Sequence, residues 1–255
     1  MSSDLELALR LSAYADDRSL AAAGAVRHWR KADRSLVTEA DLAIERAMIA
    51  RLAFERPADG ILAEESGAIE GTSGRDWILD PIDGTADFVA GGSCYGTHIA
   101  LSDRGRVLVA VITRPRARRR WWAAAGQRAW TNTSAPGNRP LHVSAVAQLH
   151  RARVGGLLET GSPVRNLLGA RATWVDDKLS VVAALIEGRI DAVVDDAGDP
   201  WDIAPATLLV MEAGGRFTDP SGGQRLDLGG AIYTNGLLDE EVHGLLGNPR
   251  LEQET

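Results

Sequence analysis

Three acidic clusters in this chain each sit at the end of an apolar run. They are Glu64-Glu65, Asp80-Pro81-Ile82-Asp83-Gly84-Thr85 and Trp201-Asp202. Strand ends are where α/β folds place their sites. If these carboxylates converge, they need a cation, since two like charges about 4 Å apart repel by roughly 4 kcal/mol at an effective dielectric near 20. An all-oxygen set of carboxylates and carbonyls suits Mg²⁺ or Mn²⁺. The single cysteine, Cys94, and the scattered histidines offer no zinc constellation. Pro81 fixes one φ and removes a donor, so Asp80, Asp83 and the Ile82 carbonyl can face one point. Gly84 and Thr85 then open a helix whose free amides suit a phosphate.

The elements that must position these groups follow from periodicity. Leu5 and Leu9, with Leu7 and Leu11, stand at i,i+4 spacing, and an alanine-rich continuation to Val26 predicts one helix over about the first thirty residues. Thr38 is a good N-cap for a second helix with Ile44, Met48 and Leu52 along one stripe. After Gly60 the period changes. Ile61 to Ala63 and Trp77 to Leu79 are short strands, and His98 to Leu101, Val107 to Thr113 and Arg119 to Ala123 form a meander. Farther on, Leu179 to Glu187 is a helix, Ile190 to Val194 a strand and Ile203 to Ala213 a helix. The class is α/β (α+β). The turn-rich stretch Thr131 to Pro140 divides one compact unit into lobes 1–140 and 141–255. The first lobe carries the Glu-Glu and Asp-Pro-Ile-Asp-Gly-Thr motifs, the second the Trp-Asp motif.

Composition narrows the partners. A formal net charge of -7 disfavours nucleic acid, because counterion release needs a basic face. Arg114 to Arg120, running into Trp121 and Trp122, reads instead as an exposed strand whose arginine stems cover aromatic faces. No apolar run is long enough to span a membrane, no secretory signal opens the chain, and a lone cysteine forms no internal disulfide, so a cytoplasmic location is expected. His28, His98, His142, His150 and His243 read as surface or packing residues, and Cys94 as a small buried side chain.

Each acid has a plain alternative when taken alone: Glu64-Glu65 a solvated loop, Asp202 an N-cap, Asp41 an early helical acid favoured by the dipole. Those alternatives do not predict the joint pattern. Asp80-Pro81-Ile82-Asp83-Gly84-Thr85-Ala86-Asp87-Phe88, upstream Glu64-Glu65, Trp201-Asp202 through Glu212-Ala213-Gly214-Gly215, and Val37-Thr38-Glu39-Ala40-Asp41 occur in one order. In that order and spacing the chain resembles the inositol monophosphatase-like family over almost its whole length. Trp121-Trp122-Ala123-Ala124 and Thr234-Asn235-Gly236 look most like its actinobacterial histidinol-phosphate phosphatase branch.

The resemblance implies a layered αβαβα sandwich of the inositol monophosphatase and fructose bisphosphatase type. It implies a lithium-sensitive, Mg²⁺-dependent phosphomonoesterase, usually a homodimer, with two ions, room for a third near Glu65, and Mn²⁺ able to substitute. Glu64, Asp80 and the Ile82 carbonyl would hold one ion, and Asp80, Asp83 and Asp202 the other. Thr85, paired with Asp41, would orient the attacking water, and the Gly84 and Thr85 amides would hold the phosphate. Three departures from the family pattern bear on the leaving group. Asp195 stands where a glutamate is common, the Gly91 to Gly96 loop is small and flexible, and Asp176-Asp177-Lys178 replaces a Gly-Ser or Gly-Asp pair. The expected partner is a small phosphate ester: histidinol phosphate, or an inositol or sugar phosphate. The alternatives are a 3′-phosphonucleotidase using Lys178 or Arg30, and a non-catalytic regulator that keeps the fold.

Overall fold

The computed structural model describes residues 3–24, 26–132, 137–177 and 180–247. Helix α1 (Ser3–Ala22) is followed by the hairpin β1 (His28–Arg30) and β2 (Leu36–Thr38), then by helix α2 (Glu39–Glu55). α1 is shorter than its alanine content suggests. Gly24, at φ 84°, turns the chain in the left-handed region just beyond the helix, where glycine carries no Cβ penalty. α2 starts as expected, with the Thr38 hydroxyl accepting from the amides of Ala40 and Asp41 at 3.1 and 3.2 Å.

Strands β3 (Gly60–Ala63), β4 (Gly67–Ile69) and β5 (Arg75–Asp83) lead to the short helix α3 (Thr85–Val89). Then come β6 (Gly96–Asp103), β7 (Arg106–Arg114), β8 (Arg119–Ala124), β9 (Ala129–Asn132) and β10 (Asn138–Pro140). They form one mixed sheet in the order β10-β9-β8-β7-β6-β5-β3-β4. β3 and β5 are parallel; the meander from β5 to β10 is antiparallel.

The rest of the chain supplies β11 (Arg153–Leu157), α4 (Pro163–Gly169), β12 (Thr173–Trp174), α5 (Val181–Ile186), β13 (Ala192–Asp195), α6 (Pro200–Glu212), β14 (Arg216–Thr218), β15 (Ala231–Thr234) and α7 (Asp239–Leu246). Its five strands pair in the order β12-β11-β13-β15-β14.

Three apolar cores stack these parts into an αβαβα sandwich. α1 and α2 cover one face of the larger sheet through Leu7, Met48, Trp77 and Ile99. α5 and α6 lie between the sheets, with Leu185 and Leu209 packed among Ile78, Ile112, Val193 and Tyr233. α4 and α7 close the outer face through Leu168, Val194, Ile232 and Val242. Among the described residues no helix is long and apolar enough to cross a membrane.

Gly96 fixes how closely β7 approaches the end of β5. A Cβ there would lie 1.8 Å from the Thr113 carbonyl oxygen and 3.0 Å from the Arg114 guanidinium. Overpacking of this kind costs about 1 to 3 kcal/mol. Gly96→Ala is expected to lower the urea midpoint accordingly; an unchanged midpoint would show that the strand ends separate freely.

Candidate active site

The centre of the site is the end of β5. In its pairing with β6 the register runs Asp80 opposite His98 and resumes with Asp83 opposite Gly96, so a bulge spans the residues between. Pro81 has no N–H to lose from the ladder, and the Thr97 hydroxyl donates to its carbonyl at 3.0 Å. The bulge lets two acids three positions apart serve one space. Asp80 is 3 % exposed, and its Oδ1 accepts from the Ile82 amide at 2.9 Å. Burial first, then Glu64, Asp83 and Asp202, push its carboxyl well above the usual range.

Asp202 comes from the first turn of α6, where its Oδ2 accepts from the Asp199 amide at 3.1 Å. It therefore does the capping work its sequence position allows while its other oxygen faces the cluster. Burial, then Asp83, pushes it up to about 8. Its side chain is still 31 % exposed, so solvent screens part of that repulsion.

Asp83 goes the other way. Burial raises its pKa, but His98 and Arg114 outweigh that and hold the carboxyl below its ordinary value. With the imidazole itself pushed down to about 4, chiefly by burial, the guanidinium is the cation responsible. Arg114 donates from Nη2 to Asp83 Oδ2 at 2.7 Å and from Nη1 to the Thr113 carbonyl at 2.8 Å.

The expected arginine-rich exposed strand is therefore corrected. Arg114 is 6 % exposed at the end of β7, residues 115–117 form a single tight turn, and Arg119 and Arg120 pair with Glu187 and Asp16. Arg119 does lie over the Trp121 ring, 5.1 Å from its centroid. The surface reading of His98 also fails, because its strand register sets it across from Asp80 within the cluster.

Glu64 and Glu65 follow β3. Their turn is oriented by Glu45, a buried α2 residue that accepts from the Glu65 amide at 2.9 Å and the Ser66 hydroxyl at 2.6 Å. Lys31, from the β1–β2 hairpin, donates to Glu64 Oε1 at 2.9 Å and Glu65 Oε1 at 3.0 Å. Burial lowers the lysine's pKa, but the two glutamates more than reverse that and raise it. A cation between these acids is what their charge requires, and here an ammonium supplies it. Glu45 and Lys31 carried weak sequence signals: one sits four residues after Asp41, the other in a polar turn.

Asp41 is the third residue of α2 and completes its cap. Its Oδ2 accepts from the Thr38 amide at 2.9 Å and from the Thr38 hydroxyl, while Oδ1 is buried with no hydrogen-bond partner among the described residues. Burial, then Glu64 and Glu65, against the Thr38 bonds, lifts it to about 6. The Thr85 hydroxyl donates to the Ile82 carbonyl at 3.1 Å, so the threonine–aspartate pair implied by resemblance is not the bond made here. Gly84 precedes α3 at φ 79°, and a Cβ on it would meet the Cys94 carbonyl at 2.6 Å. The following loop is tethered more than its glycines suggest, by the Cys94 amide to Asp87 Oδ2 at 2.5 Å and Arg116 to the Gly91 carbonyl at 2.6 Å.

These groups open into a cavity of about 240 Å³ lined by Asp83, Gly84, Cys94, His98, Asp195, Asp202 and Tyr233, with Leu157, Val181 and Val193 as apolar wall. Asp195, at the end of β13, accepts from the Ala197 amide at 3.2 Å; burial raises its pKa. Lys178 lies outside the described residues. A larger groove of about 490 Å³ runs between α1 and β8, but its half-buried acid, Asp16, is already paired with Arg120 and Thr113. The smaller cavity is the one that Asp83, His98 and Asp202 line.

The carboxylates fit a divalent ion. Asp80, Asp83 and Asp202, with His98, each offer a donor atom within 4.8 Å of the others. Hard oxygen donors crowded to the point of raised pKa values are what a divalent cation relieves.

Comparison with known proteins agrees. The sequence model of the inositol monophosphatase family matches residues 7–248. A Streptomyces griseus protein named glucose-1-phosphate thymidylyltransferase is 47% identical, over 96% of this chain and 96% of its own. The histidinol-phosphatase of Mycobacterium tuberculosis is 38% identical, over 94% of this chain and 96% of its own. The solved structure of the Thermotoga maritima IMPase superposes with a TM-score of 0.86 at 26% identity, covering 99% of both chains.

Proposed function

Because this chain belongs to the inositol monophosphatase family and is a phosphoric monoester hydrolase, we propose that it hydrolyses histidinol phosphate or an inositol or sugar phosphate, with Mg²⁺ as the working ion. The observation that carries the reading is the convergence of Asp80 and Asp83 from the end of β5 with Asp202 from α6 in one cluster, with Asp83 and Asp202 lining the cavity. Glu64, Asp80 and the Ile82 carbonyl would hold one ion and Asp80, Asp83 and Asp202 another, with Glu65 at the edge for a third. Bound there, divalent ions supply a water activated near neutral pH and the positive charge that attacking and leaving oxygens require.

The chain's own residues do the rest. Thr85 accepts from the attacking water while the Ile82 carbonyl holds its proton, and the unpartnered oxygen of Asp41 is available when that hydroxyl turns. Gly84 keeps the backbone amides ahead of α3 uncovered for phosphate, since a Cβ there would be strained at that φ and would meet the Cys94 carbonyl. Leu157, Val181 and Val193 offer an apolar wall, and Asp195 an acceptor, to the leaving group. An ammonium or imidazole-bearing alcohol suits that combination at least as well as a polyol.

The nucleotidase alternative has little support, since Arg30 is exposed and spends Nη1 on the Arg34 carbonyl at 2.8 Å. A silent regulator would have no use for so costly a cluster. A phosphate-release screen tests the proposal: histidinol phosphate, inositol 1-phosphate, sugar phosphates and an aryl phosphate, each with Mg²⁺, with Mn²⁺ and with neither. Glucose 1-phosphate with dTTP belongs in the same screen, because the name of the S. griseus relative points to thymidylyl transfer. Pyrophosphate release there, with no phosphate release elsewhere, would overturn hydrolysis.

Asp195 gives a sharper measure of the leaving group. Asp195→Asn is expected to lower kcat/KM for the best ester by roughly 10²-fold or more, while leaving the aryl phosphate nearly unchanged. Equal losses on both would assign Asp195 to the cluster's charge and not to recognition.

A further inference from the structure

Behind the end of β5, on the face that α1 covers, runs a line of hydrogen-bonded side chains that the chemistry above does not use. Thr97 is buried on the same face of β6 as Ile99 and Leu101, with His98 on the other. Its hydroxyl donates to the Pro81 carbonyl at 3.0 Å. The β6–β7 ladder ends with His98 opposite Ile112, and the Thr97 amide beyond it donates to the Thr113 hydroxyl oxygen at 3.0 Å. Thr113, also buried, donates in turn to Asp16 Oδ1 at 2.6 Å, and Arg120 Nη2 holds Asp16 Oδ2 at 3.0 Å. A hydroxyl has one proton, so the direction is fixed: with its proton given to Asp16, Thr113 presents a lone pair to the Thr97 amide.

What this line grips is one peptide plane. The Pro81 carbonyl and the Ile82 amide belong to the same rigid unit. Thr97 takes hold of its oxygen, and on the opposite edge the Ile82 N–H donates to Asp80 Oδ1 at 2.9 Å. Pro81 and Ile82 lie between the Asp80 and Asp83 pairings with β6, so no ladder position orients that plane. Rotating it would swing the amide away and release the carboxylate oxygen. Glu64, Asp83 and Asp202 all repel Asp80, so its aim needs an anchor.

We propose that Thr97 is a positioning residue: through the Pro81–Ile82 peptide its hydroxyl aims the Asp80 carboxylate into the cluster, while Thr113 and Asp16 hold the Thr97 backbone in place. The inference rests on the phosphatase reading above, in which Asp80 binds the ion, and names what aims that acid.

Three variants of the full chain test it. Thr97→Val keeps the branched shape and removes the hydroxyl, Thr97→Ser keeps the hydroxyl, and Ile99→Val loosens the same core without touching Pro81. The measurements are Mn²⁺ affinity by calorimetry, kcat and KM on an aryl phosphate, and hydrogen exchange of the Ile82 amide without metal. In Thr97→Val, Mn²⁺ affinity and kcat are expected to fall roughly 10- to 100-fold, the range for outer partners of a metal ligand. KM should stay within about twofold, because phosphate binding is not what is lost. The Ile82 amide should exchange roughly tenfold faster, and Thr97→Ser should restore all three towards wild type. Wild-type affinity and kcat in Thr97→Val overturn the inference, and so does an equal loss in Ile99→Val, which would mark packing alone. Should Thr97→Val not fold, the wild-type chain decides: slow exchange at Ile82 upholds the clamp, and exchange as fast as an exposed loop amide overturns it. A wild-type protein that binds no Mn²⁺ and cleaves no ester overturns the phosphatase reading and this inference with it; every other outcome leaves that reading standing.

Discussion

Asp80→Asn is expected to fold, to be more stable than the wild-type chain without metal, and to release phosphate roughly 10³-fold more slowly. The three outcomes have one cause. Asp80 is 3 % exposed and sits among Glu64, Asp83 and Asp202, each of which makes its ionisation harder. An amide keeps the shape and the acceptor for the Ile82 amide, and removes the charge that repels its neighbours. The metal-free fold therefore gains what the cluster loses. The same charge is what a divalent ion needs, so activity and ion affinity fall together. Phosphate release and the metal-free melting temperature, measured on one preparation, separate this outcome from misfolding. A variant that keeps more than a few per cent of turnover, or that melts lower than wild type without metal, would remove Asp80 from the centre of the site.

How much of this could be read beforehand depended on range. The acids at 64, 65, 80, 83 and 202 were legible because apolar runs stop at them, a local pattern. Thr38 and the start of α2 were legible for the same reason: a cap, a first turn and a stripe all lie within one helix. His98 was not, because its place depends on the β5–β6 register, a pairing between strands that no local pattern states. A partner strand shifted by one residue would have turned the imidazole to the opposite face.

Arg114 was hidden differently. It begins a run of arginines that reads as solvated, and only the close approach at Gly96 carries it under the surface to Asp83. The end of α1 was misjudged because alanine content says where a helix can continue, while Gly24 decides where it does not. Lys31 and Glu45 act across about thirty and twenty residues of chain, a distance at which spacing carries no information without the fold.

Without metal, the protein is expected to lose stability as pH rises from 6.5 to 8, and a divalent ion should restore more at pH 8 than at 6.5. Asp202 titrates near 8 in the folded chain against an ordinary value of 3.8, and Asp80 is shifted in the same direction. Between those values the folded state keeps a proton that the unfolded state has released. Their contribution is therefore complete below about pH 4 and is withdrawn as pH climbs towards 8. His98 opposes them over part of the range. Its pKa falls from 6.5 to about 4 on folding, so it contributes stability above 6.5 that is lost as pH drops towards 4. The opposed slopes leave the interval from 6.5 to 8 governed by the carboxylates. Each shifted group there changes stability by at most about 1.4 kcal/mol per pH unit. Partial exposure of Asp202 reduces its share. Ion binding requires the deprotonated acids and relieves their repulsion, so its stabilising effect grows over the same interval. Thermal melts in EDTA and in Mg²⁺ or Mn²⁺ at the two pH values would check this. A metal-free melting temperature that holds level or rises from 6.5 to 8, with equal shifts on adding ion, would mean that the crowded carboxylates are not the site that receives the metal.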